Sequence, residues 1–210
     1  TDSGQLFIVF LVLLFSLSVH EAAHAWSAEK LGDTTARSLG RVSFNPVVHI
    51  DPIGTILFPL LALVANLPVL GWAKPVPVDT RNLGPAWKEK FMAIAAAGPA
   101  SNLVLATAAA ALLLFIGPDG RFDDTGREAP VALFLDRMIR INVLLAVFNM
   151  IPIPPLDGGN VLSGLLRGQA SELFDKIRPF GFLILYALLF TDVLFRIIGP
   201  PFNFIIGILT

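Results

Sequence analysis

No cysteine occurs anywhere in the 210 residues of this chain. Disulfide scaffolds, iron–sulfur clusters, thiolate zinc sites and cysteine nucleophiles are thereby excluded. A metal site, if the chain has one, must be built from His, Asp and Glu. Charge is scarce too: Asp, Glu, Lys and Arg make up 15% of the residues, against about 25% in an ordinary soluble domain. The formal net charge is −1, with no basic patch rich enough to collect phosphates, so a nucleic-acid partner is excluded. Apolar residues fill the gap, at 55% of the chain with a mean hydropathy of +0.74. That balance excludes a disordered chain and argues against a water-soluble enzyme.

The apolar residues fall in blocks. Leu6 to Ala25 holds one acidic residue and two His in 20 positions, enough helix to cross about 30 Å of hydrocarbon. Ile53 to Ala73 is uncharged but broken by Pro59 and Pro68. Phe91 to Pro118 is uncharged and rich in Ala and Leu, and Ile141 to Leu156 is uncharged and ends in Pro152-Ile153-Pro154-Pro155. Phe180 to Thr191 and Ile197 to Thr210 close the series. The first block does not read as a signal peptide, because Thr1-Asp2-Ser3-Gly4-Gln5 carries no Lys or Arg. The expected architecture is an all-α polytopic membrane protein of about five to six transmembrane helices. One integral-membrane domain is expected over residues 1–210, with no appended soluble domain.

The loops predict orientation. Lys30, Arg37, Arg41, Lys74, Arg81, Lys88 and Lys90 lie between the first and third blocks, and Arg167, Lys176 and Arg178 follow Pro155. The stretch from Asp119 to Glu128 has Arg121 and Arg127 against four acidic residues, Asp119, Asp123, Asp124 and Glu128. The positive-inside rule then puts 27–90 and 157–178 in the cytoplasm and 119–135 outside. This requires Ile53–Leu70 to enter the membrane and return, as a re-entrant or β-hairpin element between the first and second full spans. Were it to cross, Lys74, Arg81, Lys88 and Lys90 would lie outside. Irregular backbone is tolerated at that depth where protein or a water cavity covers it.

Chemistry enters at His20-Glu21-Ala22-Ala23-His24, an H-E-x-x-H sequence inside the first block. Positions i and i+4 share a helix face, so two imidazoles can hold one metal while Glu21 reaches a water on it. The plainer alternative is a helix end with its polar residues among lipid headgroups. Depth argues against that, since a charge at the bilayer centre costs about 2.5–3.5 kcal/mol on insertion scales and usually has a task. A catalytic zinc site wants three protein ligands and an open position. Asp157, after the prolines and before Gly158-Gly159, is the best remaining candidate; its plainer alternative is a helix N-cap. If residues 53–70 return to the cytoplasmic side, the block at Ile141 runs inward and brings Asp157 to the depth of the two His. If they cross, Asp157 lands on the wrong face.

With these pieces in hand, the chain resembles the site-2 protease family of intramembrane zinc metalloproteases. The matching stretches are His20–His24, Asn45-Pro46-Val47-Val48-His49-Ile50-Asp51-Pro52-Ile53-Gly54, Gly71 through Val78, Ala97-Gly98-Pro99-Ala100-Ser101-Asn102, and Phe148-Asn149 through Asp157-Gly158-Gly159. They occur in the family's order over about residues 6–200, and the chain is similar to the compact prokaryotic branch without PDZ or CBS domains. The resemblance implies one Zn2+ per chain, with His20, His24 and Asp157 as ligands and Glu21 as the catalytic carboxylate. It also gives Asn149 a part in holding substrate or the oxyanion. It implies a transmembrane protein substrate, a multi-pass location in a prokaryotic cell membrane, and an active site toward the cytoplasm. Few residues precede the H-E-x-x-H helix in this sequence, so the extra N-terminal span seen in some relatives is not expected here.

Several residues stay open between readings. His49 is a fourth ligand or proton relay, or else a turn element held by hydrogen bonds; the turn is the commoner case. Asn102 can hydrogen-bond between close-packed helices, and packing is its expected role. Asp192 and Arg196 are four apart and are expected to pair. Lys74 in Gly71-Trp72-Ala73-Lys74-Pro75-Val76-Pro77 either anchors an edge strand that accepts an extended peptide or belongs to an interfacial loop with a Trp anchor. The rival function is a metal transporter or non-catalytic metal-binding membrane protein, which has no need of Glu21. Substrate, partner protease and oligomeric state are not encoded legibly.

Overall fold

In the computed structural model, residues 3–65, 72–117, 120–122 and 128–210 are described. The fold is helical, and among the described residues there is no strand, only one isolated bridge between Phe122 and Glu128. Helix α1 runs Ser3–Lys30, α2 Thr35–Ser38, α3 Phe58–Val64 and α4 Trp87–Ile116. Helix α5 runs Pro130–Asn149, α6 Asp157–Leu165, α7 Gln169–Ile177, α8 Gly181–Phe190 and α9 Val193–Leu209. Two of these, α1 over Gly4–Lys30 and α4 over Trp87–Ile116, are long and apolar enough to cross a membrane. A third crossing is possible if Gln169–Phe190 and Val193–Leu209, bent by 82° at their junction, count as one broken span. Helix α5 is 20 residues long but carries Asp136, Arg137 and Arg140. The charges are partly answered locally, with Asp136 accepting from Arg137 Nη1 and Arg140 Nε, both at 2.8 Å.

Three helices make the centre. His20 meets Asn102 while His24 meets the Ile94 carbonyl, so α4 runs antiparallel to α1. Asn142 meets both Asn102 and Ser16, and Val12 packs with Met138 and Ile139, so α5 runs parallel to α1. Helix α4 approaches closely because its inner face is small: Ala95, Ala106, Ala109 and Ala110 are buried. At the end away from the H-E-x-x-H turn, Ala109 and Ala110 join Val12, Leu113, Ala132, Leu135, Met138 and Ile139 in an apolar cluster. The distribution is inverted relative to a water-soluble core. Ser16, His20, Asn102 and Asn142 are inside, while Phe115 is 90% exposed and Phe204 70%. Lipid as solvent gives such an arrangement its driving force.

The segment after the first helix is irregular. Asp51 caps a π-helical turn over Pro52–Leu57, accepting from the Ile53 and Gly54 amides at 2.9 and 2.7 Å, and α3 follows. Pro68 and Gly71 lie outside the described residues. The chain then returns alongside its departure. Trp72 N–H donates to the Gly54 carbonyl at 3.2 Å, Lys74 N–H to the His49 carbonyl at 2.8 Å, and Thr55 Oγ1 to the Trp72 carbonyl at 2.8 Å. Of the acidic loop, Asp119, Asp123, Asp124 and Arg127 also lie outside the described residues. Asp192 and Arg196 do not form the expected ion pair. Asp192 instead takes the left-handed conformation, φ 57°, at the bend between α8 and α9.

Candidate metal and catalytic site

Every polar group of the H-E-x-x-H turn faces inward because α1 presents that face to α4. His20, Glu21 and His24 are buried, one helical turn apart, and line a cavity of about 370 Å³. Asp157 reaches the same cavity from the opposite wall. The prolines after Asn149 end α5, the chain turns, and Asp157 becomes the first residue of α6. It is not the cap of that helix, a place taken by Leu156. Two close approaches fix the turn. A Cβ on Gly158 would lie 2.5 Å from the Ile151 carbonyl oxygen, and one on Gly159 would lie 2.7 Å from Pro154 N.

The ligand atoms converge. His20 Nε2 and His24 Nε2 are 3.1 Å apart, and Asp157 Oδ2 is 3.1 Å from the first and 3.3 Å from the second. Among the described residues these three side chains are the group that could hold a metal ion. The chemistry of the donors supports a cation. His24 Nδ1 donates to the Ile94 carbonyl at 2.7 Å, and His20 Nδ1 pairs with Asn102 Oδ1 at 2.6 Å. Each neutral ring with its proton on Nδ1 offers a lone pair at Nε2. Two such lone pairs and a carboxylate oxygen then point at one place, a repulsive set until a positive charge joins it. Zinc–ligand bonds of about 2.0–2.2 Å in a tetrahedron give ligand–ligand edges of about 3.3–3.6 Å, and the spacings of 3.1–3.3 Å lie close to the short end of that span. Gly98 on α4 makes room: a Cβ there would lie 2.6 Å from His20 Nε2 and closer still to His24 Nε2.

Other residues named from the sequence take clear positions. Asn149 lines the cavity, with its Nδ2 donating to the Leu145 carbonyl at 2.9 Å. An amide nitrogen carries two hydrogens, so one remains for a cavity occupant. Residues Trp72, Ala73, Pro75, Val76 and Val78 form a further wall. Trp72 packs its ring between Phe58 and Phe182, at centroid distances of 5.1 and 5.0 Å. His49 is a turn element: it ends a short 3-10 helix, Pro46–His49, and its Nε2 pairs with the Ser43 carbonyl at 2.8 Å. It is not among the converging ligands. Asn102 does more than pack, because it holds His20. Asn142 and Ser16, which complete that contact, were not apparent from the sequence. The available signal was an amide in the otherwise apolar run Ile141-Asn142-Val143.

Outside the apolar helices, Asp33 gathers the connections at the site-bearing end of α1. Its Oδ1 accepts from Thr35 N, Thr35 Oγ1 and Asn82 Nδ2 at 3.1, 2.5 and 2.8 Å, and its Oδ2 from Asp79 N at 2.7 Å. Burial works to raise its pKa, but the hydrogen bonds from Thr35, Asn82 and Asp79 prevail and hold it below the ordinary carboxylate value. This clasp ties the end of α1 to the far end of the 72–78 wall.

Known proteins match this chain along most of its length. Residues 124–192 match Peptidase family M50. The Bacillus subtilis (strain 168) protein named "Putative zinc metalloprotease YwhC" is 34% identical over 196 residues, covering 92% of this chain and 84% of that protein. The Mycolicibacterium smegmatis protein named "Putative zinc metalloprotease Rip2" is 30% identical over 199 residues, covering 92% of this chain and 70% of its own. Its Mycobacterium tuberculosis (strain ATCC 35801 / TMC 107 / Erdman) namesake is 27% identical over 202 residues, with 96% and 70% covered. No solved structure matches.

Proposed function

This chain belongs to peptidase family M50, and from that premise we propose that it is an intramembrane zinc metalloprotease. Its substrates are transmembrane segments of other membrane proteins. The observation that carries the reading is the convergence of His20 Nε2, His24 Nε2 and Asp157 Oδ2 beside Glu21 in one buried cavity.

His20, His24 and Asp157 are the ligands of one zinc ion in this reading. The chemistry the ion supplies when bound is Lewis acidity, which brings the pKa of a bound water toward about 7 and polarises a carbonyl. Glu21 lies one residue from His20 and lines the same cavity, where its carboxylate would accept a proton from the attacking water and return it to the leaving amine. The free hydrogen of the Asn149 amide donates to the substrate carbonyl oxygen as charge develops there. A helical substrate hides its carbonyls in its own hydrogen bonds and must unwind to react. The extended 72–78 wall offers such an unwound segment a backbone to pair with.

Placement in the membrane follows from three supports. Helices α1 and α5 are parallel and α4 opposes them. Limbs 49–55 and 72–74 are hydrogen-bonded side by side, which favours re-entry over crossing for the segment between them. Basic residues concentrate at the end of α1 that carries the site. The whole chain then acts as one multi-pass domain of about five to six spans in a prokaryotic cell membrane, with its active site toward the cytoplasm. Transport is the weaker reading, because the ligands meet at one depth instead of marking a path.

The test is Glu21→Gln against Asp157→Ala. Glu21→Gln is expected to keep one zinc per chain by elemental analysis and to lose cleavage of a model transmembrane substrate. Asp157→Ala is expected to lose both. Normal turnover by Glu21→Gln refutes the base assignment, and zinc flux into proteoliposomes without cleavage by the wild type favours transport.

A further inference from the structure

Behind His20 lies a row of buried side chains that touches neither the cavity nor the ligand atoms. Ser16, Asn102 and Asn142 are fully buried, on α1, α4 and α5 respectively. Asn142 Nδ2 donates to the Met138 carbonyl and to Ser16 Oγ, both at 2.8 Å. Asn102 Nδ2 donates to Asn142 Oδ1 at 2.8 Å and, at 3.4 Å, to the Ser16 carbonyl. Asn102 Oδ1 faces His20 Nδ1 at 2.6 Å.

The direction of every bond in this row follows from its far end. A backbone carbonyl only accepts, so the Asn142 group beside Met138 must be the NH2. Its oxygen is then turned to Asn102, which must answer with its own NH2. That leaves the Asn102 oxygen against His20 and requires His20 Nδ1 to carry the hydrogen. The Nε2 lone pair is thereby turned into the cavity. His24 reaches the same state in one step, from the Ile94 carbonyl.

We propose that Asn142 is a positioning residue. It orients Asn102 through the Met138 carbonyl and so fixes His20 as the tautomer that can bind a metal through Nε2. The inference rests on the metal-site reading above. Its first measurement does not, because the tautomer exists without metal. Removing a group that orients a ligand typically weakens metal binding about 10–100-fold, and Asn142 would act at one further remove. Ser16 is dispensable to the direction of the row, because the Met138 carbonyl still accepts when the hydroxyl is gone.

The experiment is nitrogen-15 NMR of histidine-labelled, metal-free protein in detergent micelles, at a pH where the rings are neutral, joined to zinc affinity by chelator competition. In the wild type, His20 is expected to hold its proton on Nδ1. In Asn142→Leu a population with the proton on Nε2 should appear at His20 and not at His24, and zinc affinity should fall about 10-fold. Ser16→Ala should stay within about twofold of the wild type, since one of two acceptors survives. Asn102→Asp places an acceptor-only group against His20, so adding it to Asn142→Leu should restore the tautomer and most of the affinity. A wild-type His20 protonated on Nε2 overturns the proposal without any variant. An unchanged tautomer and affinity in a folded Asn142→Leu overturns it as well, leaving Asn142 a packing residue. If the wild type shows the expected tautomer yet binds no zinc, the metal-site reading fails while the orienting row stands.

Discussion

Asp33 and Asp157 are both acidic residues withdrawn from solvent, and their surroundings are opposite. Asp33 is met by four donors, two from Thr35 and one each from Asp79 and Asn82. Its negative charge is answered by the chain itself, and a cation would have to displace those donors. Asp157 is met at Oδ2 by two imidazole nitrogens whose protons are held on the other side of each ring. Its charge is left for something outside the chain to answer. Burial of a carboxylate therefore says little by itself; the donor or acceptor character of its neighbours separates a structural clasp from a ligand.

The sharpest way to break this contrast is to neutralise each carboxylate without changing its shape. Asp157→Asn is expected to abolish stoichiometric zinc by elemental analysis. It should leave the unfolding temperature of the metal-free protein within a few degrees of the wild type, because the chain supplies that carboxylate with few donors. Asp33→Asn is expected to do the reverse. Zinc stays, but an amide NH2 now faces at least one of the former donors, at a cost of about 1–3 kcal/mol, read as a lower unfolding temperature in the same detergent. Loss of zinc from Asp33→Asn, or a collapse of the metal-free Asp157→Asn protein, would erase the distinction.

A gentler probe is pH. Asp33 has its folded-state pKa depressed. Its stabilising contribution is complete above the unfolded carboxylate value of about 3.9. It is lost as pH falls through the lower folded value, where the proton must displace a donor. Unfolding temperature measured from neutral pH down toward pH 3 should therefore drop more steeply for the wild type than for Asp33→Asn. Parallel curves would mean that the four hydrogen bonds contribute nothing to linkage.

The same contrast explains what the sequence made legible. His20 and His24 could be paired from spacing alone, since a helix puts i and i+4 on one face. Asp157 could be added because it follows the prolines that end α5, and the structure brings it to the two His. The middles of α1 and α4 were readable as the apolar runs Leu6–Ala25 and Phe91–Pro118, while their charged ends, out to Lys30 and back to Trp87, were not. The start of α5 was not, because Asp136, Arg137 and Arg140 interrupt the apolar pattern; their mutual pairing, a tertiary and local fact, lets the helix begin 11 residues before Ile141. Asn142 and Asn102 were opaque for a related reason. An amide in an apolar helix announces a partner without naming it, and here the partners are on other helices, 40 and 82 positions away. The expected Asp192–Arg196 pair did not form: Asp192 precedes the first turn of α9 in the left-handed conformation, off the helical backbone that sets side chains i and i+4 on one face.

A last and smallest effect bounds the comparison from the other side. Arg167 Nη2 and Glu89 Oε1 lie 2.9 Å apart and bridge the ends of α6 and α4, with both side chains more than half exposed. Water competes for each, and holding two long side chains in one geometry costs entropy, so such pairs contribute about 0.2–1 kcal/mol. Arg167→Gln is expected to shift the unfolding temperature by no more than about a degree or two and to leave zinc content and cleavage unchanged. Arg167 lies 10 residues from Asp157 along the chain, so proximity to the site in sequence would predict a larger effect. A marked loss of zinc on removing Arg167 would mean that α6 is held to α4 by this contact. The present packing assigns that task to Gly164, where a Cβ would lie 2.8 Å from Met92 Cβ and 3.2 Å from the Lys88 carbonyl oxygen on α4.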